Sequence, residues 1–279
     1  MNDITIANNP EFFKESLNKY SFLKEPKEKN ETIKGLPKNE VGLLVAPGAT
    51  GKSYFVLNIL LASCGLTKNH LIEKEMNILY VSLEDRLDDI QRRMAAYKTE
   101  LNLTKDKLAN SYCFFDIIEN KSADRLIVKG IPQDKNILWN QLSEKIKSGK
   151  YELVIIDTLI KTYMGFEENN NADMSVVLSH FNTLASDCDC SILLLHHTNK
   201  GAVNPNADIN QSISRGASSL VDNSRFVLSL SLSKSENTVI CKSVKTNFSA
   251  PTEQEYYRGY KGALIMDGIE AEGEVKNVA

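Results

Sequence analysis

Apolar residues along this chain fall into short continuous blocks, and amphipathic stretches separate them. VGLLVA (41–46) is such a block and ends in a glycine-bearing turn. SYFVLNILLASCG (53–65) follows with helical spacing and stops at Gly65. NILYVSL (77–83) reads as a buried strand and RLDDIQRRMAAYKTEL (86–101) as a charged amphipathic helix. YCFFDII (112–118), YELVIIDTL (151–159) and SILLLHH (191–197) read as further strands. ILWNQLSEKIKSG (137–149) and MSVVLSHFNTLASDC (174–188) read as helices, with apolar positions three and four apart. Apolar strands that alternate with helices predict an α/β fold: a mainly parallel twisted sheet with helices on both faces.

The pattern changes after residue 225. RFVLSLSLS and TVICKSVKTN alternate in period two around KSEN, which predicts an antiparallel hairpin, and YYRGYKGALIMD (256–267) extends it. PEFFKESLNKYSFLKE (10–25) is compatible with a short helix, and EPKEKNETIKGLPKNE (25–40) is charged and broken by Pro26 and Pro37, so residues 1–40 read as an arm and linker. The main domain is expected over 41–268, and 269–279 is expected to be a disordered tail.

Composition narrows the setting. No apolar run approaches the roughly 18 residues that a membrane helix needs, and the start lacks the basic and apolar segments of a secretory signal. The five cysteines, Cys64, Cys113, Cys188, Cys190 and Cys241, form an odd and scattered set. They fit free thiols in a reducing cytoplasm. Cys188 and Cys190 precede His196 and His197, but the paired spacing of a zinc site is absent. The net charge is −3, so any nucleic-acid contact must be concentrated on a few loops.

The chemistry begins at APGATGKS (46–53). It departs from the phosphate-loop pattern G-x-x-x-x-G-K-[ST] only in Ala46, which falls at a strand end where an extended backbone tolerates a methyl group. Pro47, Gly48, Ala49, Thr50 and Gly51 are expected to wrap phosphate, with Gly48 supplying the conformational freedom. Lys52 supplies charge to the terminal phosphates, and Ser53 can ligate Mg²⁺. Asp157 ends a buried strand, where it suits metal coordination through water or the capping of the next turn. Glu84, in YVSLED, is a candidate for orienting and deprotonating water, with Asp85 as its competitor. His197 ends another strand, either as a γ-phosphate sensor or as a structural histidine. The expected ligands are therefore ATP and Mg²⁺.

The segment TNKGAVNPNADINQSISRGASS (198–219) is long and polar. Lys200 and Arg215 within it, and Lys245 near a later strand end, are candidates for phosphate contacts with a nucleic-acid strand. Without an aromatic residue, such contacts would be backbone-directed. Arg225 is either a finger supplied to a neighbouring subunit's site or a surface ion-pair member.

Taken together, APGATGKS, ILYVSLED, ELVIIDTL, EENNNA, CSILLLHHTNKGA, SRGASSLVDNSRF and SVKTNFSAP resemble the RepA-type hexameric replicative helicases of broad-host-range plasmids, which are RecA-like P-loop ATPases. The resemblance spans about Gly42 to Pro251. It implies that Lys52 and Ser53 hold phosphates and Mg²⁺, Glu84 is the base, Asp157 the metal acid, His197 the sensor and Arg225 the arginine finger. Arg93 matches a basic position of the family. The resemblance further implies a homo-oligomeric ring of six, single-stranded DNA in a channel lined by 199–215, an arm docked on the adjacent subunit, and an initiator or primase as a partner. A RecA-like DNA-binding ATPase that never unwinds, such as a recombinase or mobile-element regulator, shares these motifs. So does a nucleotide-binding module with little turnover.

Overall fold

The computed structural model describes residues 30–111, 113–119, 124–198, 218–233, 237–247 and 249–266, together with Leu23 and Glu25. The chain divides into compact units 1–30 and 31–279. The strands of the larger unit are β1 (Glu31–Ile33), β2 (Leu36–Pro37), β3 (Val41–Pro47), β4 (Ile78–Ser82), β5 (Phe115–Glu119), β6 (Ile127–Val128), β7 (Leu153–Asp157), β8 (Tyr163–Met164), β9 (Ser191–Thr198), β10 (Phe226–Leu232), β11 (Thr238–Thr246), β12 (Glu253–Arg258) and β13 (Leu264–Met266). Its helices among the described residues are α1 (Lys52–Ser63), α2 (Leu87–Glu100), α3 (Lys105–Ala109), α4 (Ile137–Gly149), α5 (Asn171–Asp187) and α6 (Ser218–Asn223).

Nine strands form one sheet in the order β13-β12-β11-β10-β3-β9-β7-β4-β5. Pairing is parallel from β10 through β5 and antiparallel from β10 to β13. Period-two alternation divides the strands between two cores. Leu44, Ala46, Tyr80, Ile155 and Leu195 pack with Phe55, Ile59, Ile90 and Tyr97 of α1 and α2. Leu43, Val45, Val81, Ile156 and Leu194 pack with Trp139, Ile146, Val177 and Phe181 of α4 and α5. Both faces of the central strands are therefore buried, which accounts for their continuous apolar sequence.

Local chemistry sets the helix ends. Gly65 takes φ 69°, and the N–H groups of Gly65 and Leu66 close on the carbonyls of Ala62 and Leu61 at 2.9 Å each. This is a Schellman stop for α1. Asn170 Oδ1 accepts from Ala172 N at 2.9 Å and Asp173 N at 3.2 Å, so α5 starts a turn earlier than its apolar spacing indicates.

The expected linker 1–40 needs a correction at its end. β1 and β2 form an antiparallel hairpin whose Ile33 and Leu36 are buried in the core, so residues 31–40 belong to the main unit. Strand β5 begins at Phe115, three residues later than expected. The expected tail 269–279 lies outside the described residues. No helix among the described residues is long and apolar enough to cross a membrane.

Candidate active site

Strands β3, β9, β7 and β4 are neighbours running in the same direction, so their carboxyl ends meet at one edge. Register places the chemistry there: Ala46 lies opposite His197, and Ser82 opposite Asp157. The loop after β3 leads directly into α1. A cavity of about 260 Å³ opens at this edge, lined by Ala49, Gly51, Lys52, Ser53, Tyr54, Glu84, Asp85, Arg93, Asp157, His197 and Arg258.

The loop is tightly wound. Thr50 Oγ1 donates to Pro47 O at 2.9 Å, and Gly51 holds φ 111°. The second residue in the left-handed region is Ala49, at φ 66°, and not Gly48. The expectation that Gly48 supplies the freedom is therefore corrected: the bend falls one residue later, on an alanine whose small side chain limits the strain there.

Lys52 is buried, and its ammonium donates to Ala46 O at 3.0 Å and Pro47 O at 3.1 Å. It also meets His197 Nδ1 at 3.0 Å. An ammonium has only donors, so Nδ1 accepts and the imidazole proton lies on Nε2. Nε2 then donates to Glu84 Oε2 at 3.0 Å. One chain of contacts thus joins the loop lysine, the histidine and the glutamate. Burial lowers the Lys52 pKa, opposed by the charges of Asp157 and Glu84.

Asp157 is buried, and its Oδ2 accepts from Tyr80 OH at 2.9 Å. Burial raises its pKa against that hydrogen bond, with Glu84 and Asp85 adding to the rise and His197 opposing it. Leu83 N donates to Asp157 O at 2.6 Å, which pins the loop carrying Glu84 and Asp85 to the end of β7. The Asp157–Thr158 peptide is cis. Ligand atoms of Glu84, Asp157 and His197 lie within 4.8 Å of one another. The carboxylates of this group, with the Ser53 hydroxyl at the start of α1, suit a hard divalent cation, whereas imidazole does not suit Mg²⁺. The residues present therefore fit Mg²⁺ held by oxygen donors.

Asp85 does not compete for the place of Glu84. Its carboxylate takes a two-pronged contact from Arg93, at 2.6 and 3.3 Å, and accepts from Ser53 Oγ at 3.3 Å. For Arg93, burial works against the charge, but the hydrogen bond and charge of Asp85 outweigh it and raise the pKa. His196 does not line this cavity. It is buried, with Nε2 3.2 Å from Glu168 Oε1 but without hydrogen-bond alignment.

The remaining candidates lie elsewhere. Arg225 is exposed and precedes β10. Because β10 runs parallel to β3 with Val227 opposite Leu43, Arg225 sits at the amino ends of the strands, away from its own phosphate loop. Lys245 Nζ donates to Val221 O and Asp222 O, both at 3.0 Å, and so ties the end of α6. Lys200 and Arg215 lie outside the described residues. Arg258, which lines the cavity from β12, carries no motif signal in YYRGYKG; only the folding of the C-terminal strands onto α1 brings it there.

Residues 10–203 match the family described as "AAA domain". Among solved structures, one described as the ATPase domain of another protein aligns at TM-score 0.57 and 14% identity, over 85% of this chain and 91% of that one. A second, described as "The Structure Of A DnaB-Like Replicative Helicase And Its Interactions With Primase", aligns at TM-score 0.55 and 13% identity. That alignment covers 88% of this chain and 65% of the other, just under two thirds of its length. At these identities the likeness is one of fold, and the fold is that of a RecA-like P-loop NTPase.

Proposed function

Because the chain belongs to the AAA domain family, we propose that it hydrolyses ATP to translocate on single-stranded DNA, as a ring-forming helicase of the RepA type serving plasmid or mobile-element replication. The observation that carries this reading is the position of His197. It bridges Lys52 and Glu84 at 3.0 Å on each side, and its strand runs directly into the polar segment 199–217. A change at the phosphates is thereby one residue pair away from the candidate DNA loop.

In this reading, Lys52 leaves the carbonyls of Ala46 and Pro47 for the β- and γ-phosphates. His197 then loses its donor at Nδ1 and reorients toward the γ-phosphate. Glu84 accepts a proton from water as that water's oxygen bonds to the γ-phosphorus. The bond from the γ-phosphorus to the bridging oxygen breaks, and ADP leaves. Ser53 and Asp157 would hold Mg²⁺, which when bound would neutralise charge on the phosphate oxygens. Arg225, placed away from its own cavity, serves the site of an adjacent subunit. Lys245 anchors α6, into which segment 199–217 feeds, and Lys200 and Arg215 contact the DNA backbone. The solved helicase that shares the fold is described with primase, and a primase or initiator is the corresponding partner here.

The test is displacement of a labelled strand from forked DNA. Wild type should displace it with ATP. Glu84→Gln should still bind ATP but lose hydrolysis by roughly 10²–10⁴-fold, and displacement with it. ATP turnover stimulated by single-stranded DNA without any displacement would move the reading to a DNA-bound ATPase that does not unwind.

A further inference from the structure

The C-terminal strands do more than extend the sheet. Strands β12 and β13 are bolted to the two helices beside the phosphate loop. Tyr54 OH of α1 donates to Lys261 O at 2.8 Å, and Asn58 Nδ2 donates to Leu264 O at 2.9 Å. Leu264 N donates to Tyr97 OH of α2 at 3.0 Å. This docking carries Arg258, the last residue of β12, onto the loop itself. Its Nη2 donates to Thr50 O at 2.8 Å. A side chain at Gly51 would place its Cβ 3.6 Å from that nitrogen and 3.5 Å from Leu264 Cδ1.

A guanidinium carries five N–H donors, and the Arg258 side chain commits one to Thr50 O. It makes no ion pair with any described residue. The other arginine of the cavity, Arg93, is committed to Asp85, and Lys52 is in contact with His197, a pair that the proposed function assigns to the terminal phosphate. Arg258 is therefore the one cation among the described lining residues whose charge is not matched by a carboxylate or engaged with the Glu84–His197 chain. Its place is beside Thr50 and Gly51. In loops of this type, backbone N–H groups at that position cradle the α- and β-phosphates.

We propose that Arg258 is a phosphate-binding residue supplied in cis by the C-terminal hairpin, gripping the α/β-phosphate portion that nucleoside di- and triphosphates share. This rests on the reading of the cavity as a nucleotide site. It makes β12–β13 part of the binding machinery, so that occupancy of the loop is felt by the hairpin.

The experiment is equilibrium binding of ADP and of a slowly hydrolysed ATP analogue to the full chain, by calorimetry, with a thermal melt of each variant. Arg258→Ala should weaken both ligands by a similar factor, on the order of 10–100-fold for a lost charge-assisted contact. Arg258→Gln retains a donor for Thr50 O without the charge. It should bind as poorly as Arg258→Ala if the charge acts on phosphate. Recovery of binding in Arg258→Gln would reduce Arg258 to a support for the loop and overturn the proposal. Unchanged affinity in a folded Arg258→Ala would overturn it too, as would a loss confined to the triphosphate. Lys52→Ala runs beside these. If wild type binds neither ligand, or Lys52→Ala binds both as wild type does, the nucleotide reading fails first and takes this proposal with it. Normal loss in Lys52→Ala with no effect at Arg258 sinks this proposal alone.

Discussion

Asp157 is the residue where folding and chemistry pull hardest against each other. Its carboxyl is buried at the end of β7, and burial holds its pKa above the usual value despite the hydrogen bond from Tyr80. A carboxyl with a raised folded pKa stabilises the fold below its unfolded pKa, and that contribution is lost as pH rises through the folded value. Burial makes the ionised form of this carboxyl costly to the fold, a cost that the proposed metal binding would offset. Asp157→Asn keeps an acceptor for Tyr80 and removes the charge. Without nucleotide, its thermal midpoint should lie above that of wild type, while ATP turnover disappears. A lower midpoint would show that the ionised carboxylate is stabilised by more than Tyr80 and His197. That a carboxylate closes a buried strand was legible in ELVIIDTL, because a polar residue there interrupts a continuous apolar run. The conflict was not legible, because Tyr80, Glu84 and Asp85 reach Asp157 only across strands.

Among the elements, the C-terminal hairpin is the one whose packing decides most. Tyr256 of β12 is fully buried, stacks edge-on against Phe55 with centroids 5.2 Å apart, and contacts His70 Nδ1 through its hydroxyl at 2.6 Å. His70 follows α1, so this pair ties the helix of the phosphate loop to the hairpin. Burial, with a smaller effect from Lys34, lowers the His70 pKa from 6.5 to about 4. A histidine held neutral in this way contributes stability above the unfolded pKa, and that stability is lost as pH falls from about 6.5 toward about 4. The thermal midpoint of wild type should therefore fall more steeply over that window than that of His70→Asn, as melts in a pH series would show. Parallel slopes would remove His70 as the acid-sensitive joint. Period-two alternation announced these strands, but nothing in their sequence said that they lie over α1.

At the scale of the whole molecule, the position of Arg225 bears on the proposed assembly. It stands exposed at the amino ends of strands whose carboxyl ends form the cavity, so it lies away from the cavity of its own chain. If it acts in trans, Arg225→Ala mixed in small amounts into wild type should depress ATPase and displacement more than its share of subunits. A loss in strict proportion to the fraction mixed in would withdraw the trans role. With a net charge of −3, the proposed DNA contact would need basic residues concentrated locally on the channel loops.

Sequence alone determined the order of the main strands and helices, the phosphate-loop pattern, and the polar residue at the ends of three strands. These are local properties: run length, periodicity and turn chemistry are written in consecutive residues. It also placed Glu84, Asp157 and His197 in one functional group, because parallel strands bring their carboxyl ends to a common edge. Tertiary structure decided which neighbour each side chain meets. It set Asp85 against Arg93 and Ser53, put the strained loop position on Ala49 in place of Gly48, added Ile33 and Leu36 of the first hairpin to the core, and turned Lys245 to the end of α6. It also brought Arg258 to the loop from more than two hundred residues away along the chain. Such contacts depend on how the sheet continues past β10 and how its edge folds over α1, and short-range pattern carries no record of that.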